Sequence, residues 1–140
     1  MQSQEKDNLI IARLFPGENV FEQLEEICLK HSIKTGIFIS GIGQLASFEL
    51  GFFKERGNYM NQKFENPFEM LNLNGLASLN DKSRYDFHLH ATLSGSEKNT
   101  LGGHFIDGIV SITLEIVILK TEIVISRRIE EETGLAGLFL

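Results

Sequence analysis

At 140 residues the chain falls within the commonest size range for one domain and is long enough to bury a sizeable core. Hydrophobic residues make up 42% and charged residues 23%, which excludes the low-hydrophobicity class of disordered chains. The formal net charge of −6 repels polyanions, so binding through clustered Lys and Arg on a phosphate backbone is disfavoured from the outset.

Met1 to Asn8 is polar and lacks the apolar core of a signal peptide, so export by that route is not expected. Residues 1–7 are read as a flexible end. Asn8 to Phe15 reads as a first strand stopped by Pro16-Gly17, after which Asn19 caps a helix by accepting from its early backbone N–H groups. Val20, Phe21, Leu24, Ile27 and Cys28 repeat at helical spacing with Glu22, Glu25, Glu26 and Lys30 between them. The pattern predicts one amphipathic helix near 19–31, ending at His31, whose charge complements the helix dipole. Cys28 is the single cysteine, so no intrachain disulfide forms and a reducing cytoplasm fits.

From Thr35 onward the periodicity becomes that of strands: Gly36–Ile42, Leu45–Lys54, Phe68–Leu79, Tyr85–Leu93, Leu101–Ile106, Ile109–Lys120 and Glu122–Ile129. Ile109–Leu119 is the longest apolar stretch, about half of what a membrane helix needs, so no membrane association is expected. Strands without intervening helices favour hairpins. The fold class expected is therefore α+β, a strongly twisted antiparallel sheet of about seven strands with the helix packed on it. Gly57–Pro67 is read as a mobile loop, Glu130–Glu132 as a solvated charge run, and 136–140 as a flexible end.

The chemistry concentrates in one hairpin. Between Tyr85 and Ser94, alternation puts Tyr85, Phe87, Leu89, Ala91 and Leu93 on one face and Asp86, His88, His90, Thr92 and Ser94 on the other. Two imidazoles therefore stand about 6–7 Å apart along the strand, a spacing that suits two ligands of one metal. Ser94–Asn99 is a turn, and Thr100–Phe105 returns as the partner strand. If His104 lies directly opposite His90, all three imidazoles share one face, whereas a slip of one residue sends His104 to the other. Gly102-Gly103 could also bulge and re-aim it. Three neutral imidazoles form the ligand set of an open zinc site, with the fourth position left for water or substrate. Asp86 is either a fourth ligand or, the reading preferred here, a group that orients an imidazole. Imidazoles of ordinary pKa would protonate and release the metal below about pH 6.

Three further features were weighed. Glu115 interrupts an apolar strand, where a buried carboxylate needs a partner; it is a candidate acid/base group near the metal, but pairing with Arg127 or Arg128, within the chain or across a subunit boundary, is the reading preferred here. Ser40-Gly41-Ile42-Gly43 lies between strands rather than opening a helix, so it reads as a bend lining a cleft rather than a dinucleotide motif. Phe52-Phe53 and Phe64 to Phe68 read as core or interface aromatics rather than a ligand wall.

Taken together, the chain resembles the plant and prokaryote conserved (PPC) domain family along nearly its whole length. The resemblance is carried by Arg13-Leu14 with Pro16-Gly17-Glu18, Thr35 to Gly43, Glu49 to Phe53, Asn74-Gly75, the His88-x-His90 and Gly102-Gly103-His104 elements, Thr113 to Ile118, Arg128 and Thr133-Gly134-Leu135. It implies a single domain over 1–140, assembly as a homotrimer, and one zinc ion per subunit at His88, His90 and His104. Plant members carry AT-hooks for DNA, and no Arg-Gly-Arg hook occurs here. Phe87 to His90 with Gly102 to His104 is also similar to the metal motif of acetolactate decarboxylase, which implies a zinc-dependent lyase or hydrolase. The function expected is a homotrimeric zinc protein that binds or transforms a small oxygen-bearing ligand. The rivals are a DNA-binding regulatory module, the label many prokaryotic relatives carry, and a metal-stabilised assembly domain without turnover.

Overall fold

The computed structural model describes residues 1–140. In chain order the elements are β1 (Gln2–Lys6), β2 (Leu9–Leu14), α1 (Val20–Lys30), β3 (Thr35–Glu55), β4 (Asn58–Phe64), β5 (Phe68–Leu79), β6 (Tyr85–Ser94), β7 (Thr100–Thr121), β8 (Ser126–Ile129) and β9 (Ala136–Phe139). The first seven strands form a twisted antiparallel sheet in the order β1-β2-β7-β6-β5-β3-β4, and β8 and β9 make a separate two-stranded sheet. β7 also pairs with β3 from Thr35↔Thr121 to Gly51↔His104, so β3, β5, β6 and β7 close on themselves as a ring of strands.

Burial alternates residue by residue along the strands, and the inward set, including Phe38, Leu45, Leu73, Leu89, Leu93, Phe105 and Leu114, forms one continuous core. The helix adds Val20, Leu24, Ile27 and Cys28 to it. Asn19 caps that helix, its Oδ1 accepting from the Glu22 N–H at 3.0 Å while its Nδ2 donates to Asp107 Oδ2 on β7 at 2.6 Å. At the other end His31 lies between the Glu5 carboxylate, 3.0 Å from its Nδ1, and Ser3 Oγ, 2.9 Å from its Nε2. These contacts tie the helix to β1. Burial pushes the Cys28 thiol up to about 12, which makes it an inert packing residue. No helix is long and apolar enough to cross a membrane.

Several boundaries differ from the pattern in the sequence, each for a physical reason. Gln2–Lys6, expected to be flexible, is the edge strand β1, paired with β2 from Gln2↔Arg13 to Lys6↔Leu9. Gly57–Pro67, expected to be a loop, contains β4, the opposite edge strand, which is exposed along most of its length and so carries few buried apolar residues. Gly36–Ile42 and Leu45–Lys54 are one strand, bent where Gly43 takes φ +155° and where a Cβ would meet Thr113 O at 2.0 Å. Leu101–Ile106 and Ile109–Lys120 likewise merge into β7. The Glu122–Ile129 strand starts only at Ser126, and 136–140 supplies its partner β9 instead of a loose end.

Candidate metal centre

The β6–β7 hairpin sets the register Ser94↔Thr100, Leu93↔Leu101, Thr92↔Gly102, Ala91↔Gly103 and His90↔His104 without a break. Gly102-Gly103 therefore does not bulge. The irregularity lies on the other side of β7, where Leu50 and Glu49 of β3 face Phe105 and Asp107, leaving Ile106 unpaired. Leu89, Ala91 and Leu93 are buried, and His88 and His90 face outward with the half-buried His104 across from them. The three rings form a near-equilateral triangle, with centroids 5.3 Å (His88–His90), 5.3 Å (His88–His104) and 5.5 Å (His90–His104) apart.

One nitrogen from each ring lies within 4.8 Å of the other two. Zn–N bonds of about 2.0–2.1 Å in a tetrahedral site hold donors about 3.3 Å apart, so the three donors would have to close in to hold one such ion. The protonation state fits as well. Burial, then the charges of Arg127 and His90, holds His88 below the ordinary histidine value, and burial together with His88, His90 and Arg127 brings His104 down to about 4. Neutral rings are the metal-binding form. Protonation of these two rings is thus shifted below the pH expected of ordinary imidazoles.

The triangle opens into a cleft of about 1020 Å³ walled by Phe52 and Phe53 of β3, Tyr59 of β4, and Arg127, Ile129 and Leu135 from the C-terminal segment. Tyr59 stands edge-on to His104 at 6.1 Å, and it gets there because Gly51 has no side chain: a Cβ at Gly51 would lie 2.3 Å from the Tyr59 ring. Phe52 and Phe53 thus border a cavity, whereas Phe64 and Phe68 pack on Phe48 in the core.

Asp86 lines the cleft but supplies no donor to the cluster; its Oδ2 accepts from Asn80 Nδ2 at 3.2 Å. Glu115 is exposed on β7, paired with Arg13 of β2 and Ile42 of β3, and does not line the cleft. Its expected burial is corrected, and within one chain Arg127 and Arg128 turn to His88 and Phe139 rather than to Glu115. The strand face it sits on is open in the single chain, so its carboxylate stays in water. Ser40 to Gly43 bends β3 but does not line the cleft either. Arg128 lies over the Phe139 ring at 5.1 Å. Arg127 points the opposite way, as alternation along β8 requires, and its Nη1 stands 3.1 Å from His88 Nδ1 and donates to Ala136 O at 3.3 Å. Burial lowers the Arg127 pKa and Asp86 opposes that shift. No local pattern in the sequence ties Arg127 to residues near 90; only the tail's path across the sheet does.

The Plants and Prokaryotes Conserved (PCC) domain profile matches residues 1–122, and the chain belongs to that family. Among solved structures it is similar to the metal-containing protein AF0104 of Archaeoglobus fulgidus (26% identical, TM-score 0.84, covering 97% of this chain and 96% of that one). A Pyrococcus horikoshii PPC protein is 25% identical with a TM-score of 0.80, over 99% and 96% of the two chains. A "putative DNA binding protein" of Bacteroides thetaiotaomicron is 25% identical with a TM-score of 0.91, over 99% and 96%. The chain is also 28% identical over 124 residues to the bifunctional protein GlmU of a Synechococcus strain, 87% of this chain but only 18% of that protein. It thus spans less than a fifth of that curated relative's length.

Proposed function

We propose that the protein is a homotrimeric zinc-binding domain in which His88, His90 and His104 hold one ion per subunit and a small oxygen-bearing ligand takes the remaining position. The observation that carries this reading is the triangle of three imidazole donors within 4.8 Å, facing a cleft and joined by no fourth acidic or thiol donor. A closed structural site would need that fourth protein ligand. The metal, when bound, supplies a Lewis acid and a site for a ligand oxygen. The chain's own residues do the rest: Leu89 and Ala91, buried beneath the histidines, fix their strand, and Phe52, Phe53 and Tyr59 give the cleft an apolar wall. The likeness to the acetolactate decarboxylase motif supports a reacting rather than purely structural metal. Trimer assembly is supported by exposed apolar residues on the outer face of the sheet, among them Ile11, Ile39 and Ile42, each at least 50% accessible.

Metal analysis of protein purified without an affinity tag tests the reading. About one zinc per chain is expected, and no stoichiometric metal even after zinc addition would overturn it. The name borne by the Bacteroides relative favours a DNA-binding role instead, which the charge of −6 opposes. Duplex DNA affinity that falls steeply with salt would support that rival.

A further inference from the structure

We infer that the ligand of this site is a small carboxylate with a short apolar body, and that Arg127 is the residue that selects it; the inference rests on the metal reading above. It starts from a conflict of hydrogen bonding. Arg127 Nη1 lies 3.1 Å from His88 Nδ1. A guanidinium has donors only, so His88 Nδ1 is the bare, accepting nitrogen, and in a neutral ring the proton then sits on Nε2. Neither nitrogen can ligate a metal while this bond stands. Ligation through Nε2 moves the proton to Nδ1, against a second donor, and ligation through Nδ1 uses the lone pair that the guanidinium occupies. Metal uptake and the Arg127–His88 bond therefore exclude one another.

A loaded site consequently releases a half-buried cation at the edge of the metal. Its Nε is already buried without a hydrogen-bond partner, and losing His88 leaves Nη1 with only Ala136 O at 3.3 Å. Unpaired donors on a partly desolvated guanidinium are costly, and a planar anion with two oxygens satisfies them together. A neutral ligand leaves them to water and to the more distant charge of Asp86. The rest of the cleft selects the body of the ligand: Phe52, Phe53, Ile129 and Leu135 present apolar surface. Asp86, the acidic residue in the cleft, disfavours dianions more than a singly charged carboxylate.

Cobalt(II) reports metal and ligand separately. The wild-type protein is loaded with Co2+, uptake is measured first, and the visible absorption is then titrated with butyrate and with butyramide. Butyrate is expected to shift the spectrum and butyramide to have little effect. Arg127→Met is expected to weaken butyrate by roughly ten- to hundredfold, the worth of a charge-assisted hydrogen bond, while holding Co2+ as tightly as wild type or more tightly. Arg127→Lys should recover part of the loss, and it carries the comparison if the Met variant does not fold. Equal butyrate affinity in wild type and variants, or equal binding of butyrate and butyramide, would overturn the inference and leave the metal reading standing. No Co2+ uptake by the wild type would sink the metal reading itself, before any ligand is added.

Discussion

Lowering the pH is the most direct probe of how the three histidines are set. Each ligand must be unprotonated, so a ring of given pKa reduces metal affinity by the factor one plus ten to the power of pKa minus pH. At pH 5.5, three rings at the ordinary value of 6.5 would each cost about elevenfold, roughly a thousandfold together. With His104 at about 4, its factor falls to about one. The lowered His88 reduces the loss further. Zinc affinity would be measured at pH 7.5 and 5.5 by competition with a chromophoric chelator, corrected for the chelator's own protonation. A fall well short of a thousandfold is expected; a thousandfold fall would mean that burial does not hold His104 neutral.

The same shifts act on the metal-free fold. Because His88 and His104 have folded-state values below 6.5, the unfolded chain binds more protons below that pH, so apo stability is full above about pH 6.5 and declines toward pH 4. Thermal melts of the apo protein at pH 7.5 and 5 check this, and a flat profile would contradict it. His104→Ala should abolish stoichiometric zinc while the mass in solution stays that of the wild-type assembly; dissociation on this change would make the metal structural. Leu89→Ala, at a fully buried position directly behind the two outward histidines, should cost about 2–5 kcal/mol in urea unfolding, and a loss below about 1 kcal/mol would show that the strand is not held by the core. Asn19→Ala removes both the helix cap and the tie to Asp107, and should cost about 1–2 kcal/mol by the same measurement.

The site was legible where its geometry is local. A period of two places His88 and His90 on one face, and a short turn brings His104 back beside them, so sequence spacing alone carries the triangle up to its register. What spacing could not supply was contact between distant segments. Arg127 reaches His88 only because the tail folds back over the sheet, and Tyr59 reaches His104 only because a segment that reads as a polar loop pairs as an edge strand. Edge strands such as β1 and β4 are hard to see for the same reason: with one side in water they need few apolar residues. Glu115 misled because a carboxylate in an apolar run looks buried, yet on a sheet with one face open every second residue faces solvent.

The family profile matches residues 1–122, and Arg127 lies beyond that match, in a tail that the similar solved structures nevertheless cover. The imidazole triangle and the cation beside it are thus carried on separate parts of the chain, one in the long hydrogen-bonded ladder and the other in a two-stranded flap with its own sheet. If an ion sits on the ladder, changes in the flap can alter what approaches it without disturbing the histidines. Comparing family members by their flaps rather than by their histidines would then sort them by what they bind.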